Sequence, residues 1–118
     1  MSQFLILINS DERAAAKATV EQQKEMTAAY MKYTGELKSG GVFLGGEGLE
    51  PSNNGARISW KEGHKVVTDG PFTEAKEVIG GFYLIDVKSR DEAIEWASKC
   101  PGAKMGGVEV RSVMTYPK

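Results

Sequence analysis

Asp69 is the residue whose type and setting most favour chemistry, because it lies at the start of the run TDGPFTEAKE. Gly70 accepts backbone geometry that other residues resist and Pro71 fixes its own φ, so this turn can hold a carboxylate rigidly. The carboxylate can accept hydrogen bonds from the amides of Phe72 or Thr73 and thereby build the turn. It can also stand at the mouth of a cavity between sheet and partner, as a general acid or base. The two interpretations are compatible, since a rigid turn is also how a site is preorganised.

Other polar side chains could line such a cavity. Glu47, Arg57 and Tyr83 lie on predicted strands, and we predict that they contribute to ligand binding. Glu74 and Lys76 follow the turn and form a charge cluster. That cluster is either solvated surface or a segment that closes over a bound ligand.

The small number of histidines and cysteines argues against metal binding and triad catalysis. His64, the one histidine, lies in EGHKV at a predicted hairpin turn, where exposed polarity is the ordinary role and proton transfer the alternative. Cys100, the one cysteine, is expected at the end of an amphipathic helix, partly buried and not catalytic. One residue of each type does not build a zinc site, and no GxSxG elbow occurs. We therefore expect no metal, no cofactor and no hydrolase of the triad kind.

Composition and charge restrict the partners. Lys plus Arg number 15 and Asp plus Glu number 16, so the net charge is -1 and no basic excess attracts a nucleic-acid backbone. The apolar runs at 4–8 and 82–87 are far shorter than the roughly 20 residues of a membrane-spanning helix, and the first residues lack the features of a signal peptide. A lone cysteine is compatible with a reducing compartment. We expect one domain over residues 1–118, in the cytoplasm, bound to neither membrane nor nucleic acid.

Hydrophobic periodicity predicts both strands and helices. Thr19 with Gln22, and Ser89 with Glu92, have the spacing of helix N-terminal capping boxes, and the glycines at 40–41 supply a left-handed end for the first helix. The predicted helices are residues 19–39 and 89–100, and the predicted strands are residues 3–9, 41–49, 56–60, 65–68, 80–87 and 107–113.

The order of these elements indicates the architecture. Without the hairpin at 56–68 the order is βαββαβ, which predicts an α+β, ferredoxin-like fold with the strands at 3–9 and 80–87 in the centre and both helices on one face. Both alternating sets of side chains in these two strands are apolar. Two helices can cover only one face, so something else must bury the other. We expect a homodimer through that second face, with at least ~1,200 Å² buried in total.

The run TDGPFTEAKEVIGGFYLIDV, followed by DEAIEWASKCPGA and VEVRSV, resembles the DGPF group of the YCII-related domain family, from the first strand to about residue 113. The residues that carry the resemblance are Asp69, Gly70, Pro71, Phe72, Glu74, Lys76, Glu77, Gly80 and Gly81. It implies a small dimeric α+β barrel-like fold, often encoded near or fused to extracytoplasmic-function sigma factors. Related proteins carry a His and Asp pair proposed as catalytic, which His64 does not match, and a few relatives are said to act on chlorinated aromatic breakdown products.

Two functions from different classes stay open. The first is a small-molecule-binding or regulatory homodimer, linked to extracytoplasmic sigma-factor pathways as the resemblance implies. The alternative is a lyase or isomerase that needs no cofactor, acts on a small aromatic-derived metabolite and uses Asp69 as acid or base. An enzyme needs a titratable group inside a cavity, whereas a sensor needs a complementary pocket and a movable element.

Overall fold

The chain forms a mixed α+β structure with antiparallel sheets, seen in a computed structural model that describes residues 1–72 and 78–116. Its strands are β1 Ser2–Ser10, β2 Phe43–Gly48, β3 Ala56–Lys61, β4 His64–Asp69, β5 Val78–Val87 and β6 Val108–Ser112. Its α-helices are α1 Glu12–Ala16, α2 Val20–Ser39 and α3 Arg90–Ser98, and short 3-10 turns span Ser52–Asn54 and Pro101–Lys104. The strands and the two longer helices lie within a few residues of their predicted positions, whereas α1 was not predicted.

The predicted capping residues form the expected hydrogen bonds at the starts of α2 and α3. The Thr19 hydroxyl accepts the Gln22 amide at 3.1 Å, and the Gln22 side chain accepts the Thr19 amide at 2.9 Å, so two donors at the start of α2 are satisfied. The Ser89 hydroxyl accepts the Glu92 amide at 3.2 Å at the start of α3. After α2 the left-handed residue is Gly41, with φ of 73°, so only one of the two predicted glycines takes that conformation.

One four-stranded sheet, in the order β2-β5-β1-β6, forms the centre of the structure. Every neighbouring pair is antiparallel, and β1 and β5 lie in the middle, as the sequence predicted. In their register Leu5 lies opposite Leu84, and Leu7 lies opposite Phe82. The most apolar strands therefore occupy the positions with a hydrogen-bonded neighbour on each side.

The two faces of this sheet differ in what covers them. Helices α2 and α3 pack on the first face, which we call the covered face. Its buried residues are Phe4, Ile6, Tyr83, Ile85 and Val87 from the strands, Tyr33, Leu37, Ala93 and Ala97 from the helices, and Cys100. Leu5, Leu7, Phe82 and Leu84 point to the opposite side, the open face, and are only partly buried.

Strands β3 and β4 pair with each other in a separate two-stranded sheet, the hairpin. Glu62 and Gly63, both with positive φ, make its turn, which suits the twist of a tight antiparallel hairpin. Nearly every residue of the two strands is exposed. None of the helices in the described part of the chain combines the length and the apolar composition that crossing a membrane requires.

Candidate functional site

Asp69 is the last residue of β4 and is exposed to solvent. The Phe72 amide, one of the two donors expected for its carboxylate, instead donates to the Ser52 hydroxyl at 2.9 Å. The backbone at Gly70 also lies directly on Ser52, since a Cβ at Gly70 would come within 1.7 Å of the Ser52 carbonyl oxygen. Thr73, the other donor considered, lies outside the described residues. The acid or base role of Asp69 therefore stays a prediction.

Glu47 and Tyr83, the other predicted site residues in the described part of the chain, lie apart from each other. Glu47 lies opposite Phe82 at the edge of the open face. Tyr83 is buried on the covered face, where its hydroxyl pairs with that of Thr34 at 2.7 Å. Glu74 and Lys76 lie outside the described residues, so their ligand-binding role stays a prediction.

Arg57 is the predicted site residue that the structure places in a groove. The groove is open to solvent, has a volume of about 620 Å³ and lies where α1, the segment at 49–55 and the start of β5 meet the turn at 70–72. Its lining residues are Glu12, Leu49, Glu50, Pro51, Ser52, Asn54, Gly55, Arg57, Phe72, Val78 and Ile79. We call it the Arg57 groove.

A hydrogen-bond chain fixes one wall of the Arg57 groove. Ser52 donates both its backbone amide and its hydroxyl to the Glu12 carboxylate, and the same hydroxyl accepts the Phe72 amide. The Gly70 amide donates to the Gly55 carbonyl at 2.9 Å, which joins the turn to the adjacent loop a second time. Three segments distant in sequence are thus held together by charge-assisted and neutral hydrogen bonds.

The aromatic ring of Phe72 supports the Arg57 guanidinium, the one such group among the described residues of the groove. The Arg57 Cζ atom lies 3.9 Å from the Phe72 ring centroid, so the guanidinium stacks on the ring as a cation–π pair. A stacked guanidinium keeps its N–H groups in its own plane, where they can reach a carboxylate or a phosphate. Leu49, Val78 and Ile79 give the groove an apolar side. The two carboxylates of the lining are bound within the wall, Glu12 to Ser52 and Glu50 to Asn54, so Arg57 is the charged group that could pair with a small anion that also has an apolar part.

Glu12 and Ser52 are functional candidates that the sequence did not indicate. Ser52 lies in EPSNNG, which is typical of a loop, and Glu12 begins the helix α1 that was not predicted. A local signal for α1 does exist: the Asp11 carboxylate accepts the Arg13 amide at 3.0 Å as an N-cap, and alanines follow. No local pattern pairs Glu12 with Ser52, because they meet only in the folded chain.

The buried ionisable groups belong to the covered face. Burial raises the pKa of the Tyr30, Tyr33 and Tyr83 hydroxyls and of the Cys100 thiol, because each charged form would lose hydration. The Tyr33 hydroxyl also donates to the Trp96 carbonyl at 2.6 Å. All four groups are therefore neutral near pH 7. The burial expected of Cys100 is confirmed and is deeper than expected, with 1% exposed.

Two further features lie outside the Arg57 groove. A second groove of about 410 Å³ lies between the end of α2 and α3, with Lys88, Lys99, Glu92 and Glu95 on its walls, and none of its described lining residues is a predicted site residue. His64 is exposed at the tip of the hairpin, as expected.

Comparisons with known proteins agree with one another. The sequence model described as the YCII-related domain matches residues 2–117. An uncharacterized protein of Rhizobium meliloti (strain 1021) is 33% identical over 119 residues, which cover 96% of this chain and 93% of that protein. The similarity thus extends over the hairpin, the Arg57 groove and the central sheet alike.

Proposed function

This chain belongs to the YCII-related domain family, and we propose that it acts as a homodimer that binds a small anionic molecule in the Arg57 groove. The observation that carries the proposal is the Arg57 guanidinium stacked 3.9 Å from the Phe72 ring inside that groove. Ligand sites are usually concave, mostly apolar and provided with a few fixed polar groups. This groove has that composition.

The wall of the groove supports binding because it is fixed before any ligand arrives. Ser52 is held by Glu12, and the amide of Phe72 is held by Ser52, so the backbone that carries the ring beneath Arg57 is fixed. A preorganised site loses less conformational entropy when it binds. An anion would pair with Arg57, and an apolar portion of the same molecule would lie against Val78 and Ile79.

The homodimer is supported by the open face of the sheet. Leu5, Leu7, Phe82 and Leu84 form two adjacent rows in the two central strands, with Glu47 at one edge. Such a contiguous apolar patch with a polar rim is typical of a protein interface. The strand order β2-β5-β1-β6 with two crossover helices supports the finer assignment, a ferredoxin-like fold in a dimeric barrel-like assembly of the DGPF group.

The biological setting is proposed on the resemblance alone. A ligand-binding homodimer could act as a regulatory module in an extracytoplasmic sigma-factor pathway, inside the cytoplasm. The lyase or isomerase alternative, with Asp69 as acid or base, gains no support from the groove, because Asp69 is exposed and is absent from its lining. That alternative stays a prediction.

The proposal is tested with two simple aromatic anions, benzoate and phenyl phosphate, at millimolar concentration. We expect at least one of them to shift the backbone amide resonances of Ser52 and Phe72 in NMR titrations, because both amides belong to the groove wall. Neutral benzamide should shift them far less, since it lacks the charge that Arg57 recognises.

Two variants separate the groove from general surface charge. Arg57→Gln should abolish the anion-dependent shifts, whereas Lys61→Gln, on the same strand at the exposed end of the hairpin, should leave them unchanged. Absence of shifts with both anions, or identical binding by wild type and Arg57→Gln, would contradict the proposed ligand site.

A further inference from the structure

One face of the hairpin has a stripe of large apolar side chains exposed to solvent. Ile58 is 64% exposed, Trp60 68% and Val67 51%. Ile58 pairs directly with Val67 and lies two residues from Trp60, so the three side chains share one face of the two-stranded sheet. We call this set the arm stripe.

The arm stripe lies on a part of the molecule that extends away from the main body. The radius of gyration is 16.3 Å, against about 13.5 Å expected for a compact domain of this length. The chain is also flat, with extents of 48 × 45 × 18 Å. Two-stranded sheets are at best marginally stable on their own in water, so a projecting pair of strands with an exposed tryptophan favours contact with a partner surface.

We propose that the hairpin is an arm that packs the arm stripe against a second copy of this chain. The inference rests on the homodimer proposed above and adds a second contact to it. A two-fold axis repeats every contact. If the arm stripe of one subunit packs on its partner, the arm stripe of the partner therefore packs on the first subunit in the same way. Tryptophan is also the residue type most enriched among side chains that dominate binding energy at interfaces.

The area of the open face favours a second copy as the partner. Four strands, each ~4.8 Å wide, and about five paired residues of ~3.3 Å rise make a flat patch of roughly 320 Å². A stable interface buries about 800 Å² per partner. The flat outline of the open face is smaller than that, so the total of ~1,200 Å² expected for the dimer favours an additional contact from the two arms.

Charges of both signs flank the arm stripe, and charges of both signs also lie beside the open face. Lys65 pairs with Trp60 at the tip and Asp69 pairs with Ala56 at the base, so both charges lie on the stripe's face. On β6, Glu109 and Arg111 lie beside the open face and form an ion pair at 3.1 Å. Opposite charges placed around an apolar contact select its register. In the dimer the exposed Asp69 would thus lie at an interface with the partner.

Trp60 itself is the probe for the test. The chain has two tryptophans, so Trp96→Phe leaves Trp60 as the sole indole fluorophore. We expect its emission maximum to lie at the shorter wavelength of a shielded indole when the protein is dimeric. Dilution should move it to the wavelength of an exposed indole, with the same midpoint as the fall in mass measured by sedimentation velocity.

A pair of variants on opposite faces of the hairpin provides the second measurement. Trp60→Ser should raise the dimer dissociation constant by at least about 100-fold, roughly tenfold for each of the two symmetric copies. Ser59→Ala, the neighbouring residue on the other face, should change it less than about twofold. Circular dichroism verifies that both variants keep the wild-type fold.

The outcomes distinguish the arm from the dimer itself. A wild-type protein that is monomeric at every concentration overturns both. A wild-type dimer whose dissociation constant is the same in Trp60→Ser overturns the arm and leaves the homodimer of the proposed function. A shielded Trp60 in a sample shown to be monomeric also overturns the arm, because the stripe then packs on its own chain.

Discussion

The covered and open faces of the central sheet are built from the same two strands, yet they have different physical roles. Ile85 and Leu84 are neighbours in β5, and Ile85 is fully buried beneath the helices while Leu84 is only partly buried. On the covered face the polar atoms are also paired, as the Tyr33 and Tyr83 hydroxyls show. Apolar content alone therefore does not distinguish a core position from an interface position, because burial depends on which layer lies above the strand.

The largest expected effect compares these two neighbours directly. Ile85→Ala should lower the free energy of unfolding by about 3 kcal/mol, because it removes a fully buried side chain and leaves a cavity. Leu84→Ala should cost about 1 kcal/mol or less in dilute protein, since water already reaches this side chain. Urea unfolding at two protein concentrations measures both. Equal losses in dilute protein would contradict the distinction between the faces, whereas an added loss for Leu84→Ala only in concentrated protein would place it in the dimer interface.

A smaller effect is expected at two adjacent glycines of β2. A Cβ at Gly46 would lie 2.7 Å from Cδ1 of Tyr83 and 2.8 Å from the Phe82 carbonyl oxygen, so Gly46→Ala should cost about 1–3 kcal/mol by overpacking the covered face. Gly45 points the other way and has no atom within 4 Å of an added Cβ, so Gly45→Ala should change stability by less than about 0.5 kcal/mol. Thermal unfolding of the two variants measures the difference. A larger loss of stability for Gly45→Ala than for Gly46→Ala would show that β2 pairs with β5 in a different register.

The smallest effect is a pH dependence confined to the covered face. Burial raises the pKa of Tyr33 and of Cys100 above their ordinary values of 10.0 and 9.0. The unfolded chain therefore releases these protons first, so the stabilisation is complete below about pH 9 and declines as the pH rises above that value. Tyr33→Phe should cost about 1 kcal/mol at neutral pH, through loss of the bond to Trp96, and should flatten the alkaline decline.

Urea midpoints measured from neutral to strongly alkaline pH provide the check for this last prediction. The matched control is Tyr116→Phe, because Tyr116 is exposed near the end of the described chain. An unchanged alkaline decline in Tyr33→Phe would mean that Tyr33 ionises as readily in the folded chain as in the unfolded one.

Much of the architecture could be predicted from local pattern. Alternating and continuous apolar runs located the strands, and capping residues such as Thr19 and Ser89 located the two longer helices, because both signals act within a few residues. The central position of β1 and β5 also followed, since only strands with neighbours on both sides benefit from apolar residues on both faces. The helix α1 was missed because none of its five residues is buried, so its sequence has no periodic apolar pattern.

The candidate site could be predicted only in part. Arg57 was identified as a polar residue on a strand, but its stacking on Phe72 depends on how the hairpin meets the turn. Glu12 and Ser52 are 40 residues apart, and no local propensity connects them. The carboxylate role of Asp69 was inferred from a rigid turn, yet in the folded chain the Phe72 amide of that turn is bonded to Ser52.

By itself the sequence determined the strands and the two longer helices, their order and the amphipathic or doubly apolar character of each, because these properties follow from side-chain periodicity and local capping. Only the tertiary structure decided which apolar face lies under the helices and which stays open, and that the Arg57 groove is assembled from Glu12, Ser52 and Phe72. The physical reason is that the packing of whole layers decides which distant segments touch. A residue and its neighbours in sequence carry no separate signal for those contacts.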